Sequence, residues 1–211
     1  MNPRFWIAVH HNNDFYEAAA DKKAPPEVLR FLADQETRSV RWRVSVNPAT
    51  PSDALSKLAG DEWTMVRKHV AANKNTPSAA LAQLAHVEQD DIRAHVAQHI
   101  MTPPETLAAL GKDDAKKVRQ NVAFNHSTPP GTLAAMAVIG EFPEAVSSNP
   151  NTPPDTLERL ATANNLVQLH YLINNFNTPL WVIEQLKDHP NFSVKAAAEQ
   201  AYGERTSSDE S

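Results

Sequence analysis

The sequence predicts an all-α solenoid of about seven two-helix repeats, each 24–26 residues long. Three observations carry this. Proline recurs at positions 25, 51, 77, 103, 129, 153 and 179, in steps of 26 residues except for one of 24. Apolar residues follow each proline at the fourth and seventh positions, from Leu29 and Leu32 to Ile183 and Leu186. From the second repeat on, Thr precedes each proline, and three residues before that Thr stands an Asn, with His99 as the one substitute. A period in this range means that each unit buries a face only against its neighbours, so several copies are needed for stability.

Residues 1–23 are expected to form an N-terminal cap. Asp14 to Asp21 occupy the register of a second helix without its Val pair, as a terminal unit facing water would. Within residues 24–203, the first helix of each repeat opens on Thr-Pro. Thr50, Thr76, Thr102, Thr128, Thr152 and Thr178 are suited to cap its first amides, with Pro at the first helical position. The apolar pairs three apart lie on one helical face. A small residue usually follows (Ala33, Ala59, Ala85, Gly111, Ala137, Ala161), allowing close approach of the next element, and Lys187 breaks this pattern as an end unit would.

The second helix of each repeat carries apolar pairs four apart: Val40/Val44, Val66/Val70, Ile92/Val96, Val118/Val122 and Phe142/Val146. It is expected to end near Asn47, Asn73, Asn125, Asn149 and Asn175, because Asn tolerates the left-handed conformation of a C-cap. In the 24-residue unit Gly140 and Pro143 predict a tighter connection and a second helix that starts at proline. Val194 to Tyr202 reads as an Ala-rich helix stopped by Gly203, leaving 204–211 as a disordered acidic tail.

The full consensus, V-R-x-x-V-A-x-N-x-x-T-P-x-x-x-L-x-x-L-A, stands almost complete from Val66 to Ala85. It resembles the leucine-rich repeat variant family over residues 14 to 202. The resemblance implies a right-handed superhelix of alternating α- and 3₁₀-helices without sheet, with an α/α solenoid as the alternative. Some family members carry a cysteine-rich iron-sulfur domain; this sequence has no Cys, which excludes that cluster along with disulfides and thiol catalysis. HEAT and armadillo repeats are longer, about 40 residues or more.

No apolar run approaches the roughly 20 residues of a membrane span, and Phe5 to Val9 is too short for a secretory leader. A cytoplasmic location is therefore expected. The formal charge of -5 is uneven: residues 1–119 hold 16 basic and 15 acidic side chains, residues 120–211 hold 4 and 10. An acidic C-terminal half disfavours a groove that tracks phosphates. P-loop, G-x-G-x-x-G, H-E-x-x-H and G-x-S-x-G motifs are all missing, and no cofactor is implied. The chain is not expected to be an enzyme. The alternative, a HEAT-like nucleic-acid-binding protein that processes DNA bases, rests on architectural analogy alone.

Arg41, Arg67, Arg93 and Arg119 recur at one register, each with an acid five residues earlier (Glu36, Glu62, Glu88, Asp114). Both members vanish together in the later units, at Val138 with Pro143 and at Asn164 with Leu169. This favours an ion-pair ladder over a row of ligand-binding cations. His69, His95 and His99 could approach a metal, but no acid or Cys completes the shell, and no metal site is assigned.

Three registers of the second helix vary freely between units, and solenoids place specificity at such positions. They contain Trp42, Arg43, Lys68, His69, His95, Gln120, Phe124 and Tyr171. Trp, Tyr, Phe and Arg are typical anchors of protein interfaces. The expected function is that of a scaffold binding a protein or peptide partner along a concave helical face, with Trp42, Phe124 and Tyr171 partly exposed.

Overall fold

A computed structural model describes residues 2–207. The chain divides into two compact units, Met1–Thr106 and Leu107–Ser211. The first opens with α1 (Pro3–His11) and α2 (Phe15–Ala20). First helices α3 (Pro26–Ala33), α5 (Ser52–Leu58) and α7 (Ser78–Leu84) then alternate with second helices α4 (Arg38–Val46), α6 (Thr64–Ala72) and α8 (Asp90–Gln98). After α9 (Pro104–Leu110), the other unit continues with α10 (Lys116–Phe124), α11 (Pro130–Ile139), α12 (Pro143–Ser148), α13 (Pro154–Leu160), α14 (Leu166–Ile173), α15 (Leu180–Leu186) and α16 (Phe192–Ser207).

All described helices are α, so the α/α alternative holds and the 3₁₀ element is not adopted. The first helices are rich in Leu and Ala and run to seven residues or more, longer than 3₁₀ geometry sustains. Second helices pack on one another in each unit, α2 on α4, α4 on α6 and α6 on α8, then α10 on α12, α12 on α14 and α14 on α16. The leucine and valine pairs form the buried strip between the layers: Leu55, Val66, Val70, Leu81, Val118 and Leu133 are all inaccessible.

The conserved-looking polar positions do different work from that expected. The Asn residues that end the second helices are extended, not left-handed, with φ of -72° at Asn47 and -80° at Asn73. Their side chains explain why. Asn73 Nδ2 donates to the carbonyls of Ser45 and Asn47 in the preceding unit, and its Oδ1 accepts from Asn75 N. Asn149 does the same to Ala123, Asn125 and Asn151, and Asn175 to Ser147, Asn149 and Asn177. Each Asn thus satisfies the free carbonyls at the end of the previous helix while tying its own turn. His99 fits the same slot, with Nε2 against Asn73 O and Nδ1 accepting from Met101 N.

The threonines also face backwards. Thr50, Thr128 and Thr178 donate through Oγ1 to Val44, Val122 and Leu172 carbonyls at 2.6 Å, closing the helix behind them. The first helices have no side-chain cap where their N-cap is described, and that N-cap is the proline itself, as at Pro51 and Pro77. A buried hydroxyl is drawn to the nearest unpaired carbonyl, and the chain's extended path through Thr-Pro places it there.

The two ends close this ladder by complementary chemistry. Asp21 occupies the Asn register of the first rung; its Oδ1 accepts from Lys23 N and its Oδ2 meets His11 Nε2 at 3.1 Å. At the other end Gly203 does not stop the helix, as expected, and residues 204–207 are not a disordered tail. The helix runs on to Ser207, and Arg205 donates to the carbonyls of Ile173, Asn175 and Thr178. Those carbonyls match the ones that Asn175 and Asn177 take from Ser147, Asn149 and Thr152. An arginine with five donors therefore replaces the two asparagines of a following repeat. Residues 208–211 of the expected tail lie outside the described residues. Lys187 is half-buried, with its ammonium 4.0 Å from the centre of the Tyr202 ring. Arg205→Met should fray α16 and speed amide exchange at Asn175 to Thr178; wild-type exchange there would show that the cap is dispensable.

The N-terminal cap is also more substantial than its sequence suggested. Trp6 and Ile7 of α1 are buried, and α1 packs on α2 and α3. In the 24-residue unit, the second helix starts at Pro143 as expected and shrinks to six residues, while its first helix extends to ten. Gly140 (φ 72°) ends the longer helix, and Phe142 (φ 50°) is not a helical core position but the left-handed N-cap of the shorter one.

Candidate functional site

The variable registers lie on the second helices beside the buried apolar pairs, and the two units use them differently. In the first unit the large side chains pack on each other. The Arg43 guanidinium lies 4.4 Å from the Tyr16 ring centre and 5.2 Å from that of Trp42, whose ring meets His69 edge-on at 5.8 Å. Trp42 and Arg43 are half-buried, and Trp42 Nε1 and Arg43 Nε are buried without a hydrogen-bond partner. Lys68 reaches along the row to Asp91 at 2.7 Å, and His95 is half-buried one unit further on. The stack is thus a joint between successive repeats as well as a surface. Between α4 and α6 it leaves a hollow of about 350 Å³ lined by Val46, Pro48, His69, Ala72 and Lys74.

Electrostatics in this row are set by proximity. The Lys68 ammonium holds the Asp91 carboxyl below its usual range through a direct hydrogen bond. Burial lowers the His69 imidazole below the usual value of 6.5, with Lys68 and His95 adding to the effect. A depressed histidine is neutral in the folded chain but protonated in the unfolded one below about pH 6.5, so stability falls as pH drops through that window. His69→Gln should flatten the decline of melting temperature on acidification; an unchanged slope would assign the acid sensitivity to other groups.

In the second unit Ala145 at these registers is buried, but the large aromatic side chains stay open. Phe124 is 54% and Tyr171 48% exposed, and Gln120 is exposed. Leu166 and Val167, on the same helix as Tyr171, are also exposed, and with His170 and Asn174 they surround a hollow of about 300 Å³. Sequence reasoning passed over Leu166 and Val167. Their signal was available: the equivalent positions are Thr64 and Met65, Asp90 and Asp91, and Lys116 and Lys117, so this unit alone places two aliphatic residues there.

The arginine ladder is structural, and of the four acids expected as partners Glu62 pairs with Arg41 across the junction between repeats. Arg41 Nη1 donates to the carbonyls of Gln35 and Glu36, and the pattern repeats at Arg67, Arg93 and Arg119. To its own arginine, each residue five back offers its backbone carbonyl as a hydrogen-bond acceptor. Carboxylates come from the next junction: Asp61 and Glu62 for Arg41, Glu141 for Arg119. Gln89 Oε1 takes that place for Arg67. Hydrogen bonding to Asp61 and Glu141 raises the affinity of Arg41 and Arg119 for their protons further.

His99 is committed to the backbone ladder and does not join His69 and His95, and no group of three or more His, Asp or Glu able to hold a metal occurs among the described residues. No described helix is long and apolar enough to cross a membrane.

No family model and no curated protein matches this chain. A solved structure described as a leucine-rich repeat variant with a novel repetitive structural motif aligns over 94% of this chain and 80% of its own length. It has 25% sequence identity and a TM-score of 0.61. This chain shares the leucine-rich repeat variant fold. A designed armadillo repeat protein (14% identity, TM-score 0.36, 90% of this chain and 97% of that one) shares helical repetition only. The same holds for a second design, solved with a (KR)4 peptide, at the same identity and TM-score and covering 90% and 99% of the two chains.

Proposed function

We propose that this leucine-rich-repeat-variant solenoid is a non-enzymatic cytoplasmic scaffold that binds a protein or peptide partner along the row of its second helices. The observation that carries this reading is the exposed cluster of Leu166, Val167 and Tyr171 on α14. None of the three belongs to the repeat core, and folding leaves their apolar area in water. Tyr supplies a broad apolar face with a polar tip, and the adjacent hollow accepts a side chain from the partner. Phe124 offers a second anchor in the same unit. In the first unit Lys68 selects by charge, and His69 and His95 by hydrogen bonding, around a surface already stiffened by the Trp42 stack.

The test uses the full chain carrying a photo-crosslinking phenylalanine analogue at Tyr171, expressed in its native cells. A protein captured there should be purified and its affinity measured for wild type and for Leu166→Ala/Tyr171→Ala, whose helix content should be unchanged. Loss of about 2 kcal/mol or more is expected for a central aromatic anchor. Equal affinity of the double variant would move the interface elsewhere, and salt-sensitive binding to DNA in its place would favour the nucleic-acid reading.

A further inference from the structure

Arg41, Arg67, Arg119 and Arg205 each donate to carbonyls or carboxylates within the chain. Arg43 does neither. Among the described residues its guanidinium makes no hydrogen bond and no ion pair, and it is held by the rings of Tyr16, 4.4 Å away, and Trp42, 5.2 Å away. Glu17 stands at the same register one repeat earlier, yet it is exposed and pairs with no cation among the described residues. The Nε of Arg43 is buried, while its Nη groups remain accessible. Stacking on rings leaves the N–H groups of a guanidinium unbonded, so its attraction for an anion is unspent. The two rings also restrict its rotamers, and little freedom remains to be lost when a ligand binds.

The next positions along the row carry the same sign. Val46 lies one turn beyond Arg43 on the same face of α4, and with His69 and Lys74 it lines the hollow of about 350 Å³ between α4 and α6. Lys74 is exposed and pairs with no acid among the described residues. Burial favours neutral His69, which adds hydrogen-bonding capacity to the wall. Lys68 and Asp91, further on, offset each other at 2.7 Å.

We propose that the first unit binds an acidic peptide segment, in which carboxylates meet Arg43 and Lys74 and an apolar side chain between them enters the hollow. This inference rests on the reading of the second helices as a partner surface, and it names the partner's chemistry. A carboxylate fits the guanidinium because its two oxygens accept two parallel N–H bonds. The apolar residue fits because Val46 and Ala72 wall the hollow, and an interface combines such an apolar centre with a charged rim.

The probes are acetyl-Glu-Leu-Glu-Leu-Glu-Leu-amide and its Gln-Leu and Lys-Leu counterparts, titrated into the full-length 15N-labelled chain. The acidic peptide should shift the Arg43 Nε–H signal and the amides of Val46 and Lys74. It should bind about tenfold more tightly than the Gln-Leu peptide, an advantage that shrinks with added salt. Arg43→Gln should remove that advantage. Lys74→Gln, at an exposed position, should reduce it with helix content unchanged, and it decides alone if Arg43→Gln unfolds with the loss of its ring stack. The proposal fails if none of the three signals moves, if either counterpart binds as well as the acidic peptide, if the folded variants keep the full preference, or if a short oligothymidylate binds more tightly. Leu166→Ala/Tyr171→Ala leaves Arg43 and Lys74 in place. Retained acidic preference without partner capture at Tyr171 would therefore overturn the α14 anchor alone, and capture without the preference would overturn this site alone.

Discussion

Asn149→Leu is expected to destabilise the second unit by about 3–5 kcal/mol, with the cost set by unpaired backbone groups more than by lost volume. Asn149 is buried, and it donates to the carbonyls of Ala123 and Asn125 at 2.8 and 2.9 Å and accepts from Asn151 N at 3.0 Å. Leucine fills the space but leaves three polar groups without this partner, each worth about 1–3 kcal/mol when buried and unsatisfied. Asn149→Asp is the sharper test. It keeps the shape and the acceptor, but it sets a carboxylate against two carbonyls that need a donor. Asp occurs at the equivalent position 21, where its carboxylate accepts from Lys23 N and meets His11 Nε2. Urea melts in which Asn149→Asp is as stable as wild type would show that the donations contribute little.

Leu81→Ala and Leu107→Ala should each cost about 2–5 kcal/mol, the range for a buried leucine whose surroundings relax only partly. Both are inaccessible to solvent, with Leu84 and Leu110 on the same helical faces. Leu29 belongs to the first repeat, where an end position by itself predicts a smaller loss. It is equally inaccessible, because α1 and α2 pack on α3 and place Trp6 and Ile7 over the end of the strip. Its truncation should therefore fall in the same range. Denaturant melts in which Leu29→Ala loses less than half as much as Leu81→Ala would mean that the α1–α2 cap is frayed in solution.

The period, the helix pairs, the leucine and valine core and the shortened unit were all legible in the sequence. Each follows from local spacing: apolar residues three or four apart can meet a neighbour only on one helical face, and 26-residue recurrence repeats that face. The variable registers were legible as free positions, and Leu166 and Val167 could have been added by the same comparison between units.

What only the tertiary structure decided is where each repeated polar group points. From spacing alone Thr suits an N-cap and Asn a left-handed C-cap, since local rules consider a residue's own helix. In the folded chain the nearest unpaired carbonyls belong to the helix before, 26 or 28 residues away for Asn73. The same reason made Arg205 unreadable as a cap, because its partners lie 27 to 32 residues upstream and its local sequence is small and polar. The tertiary structure also parted Trp42 from Tyr171. They occupy neighbouring variable registers, but Arg43 and His69 pack on the first ring, whereas nearly half of the second stays in water.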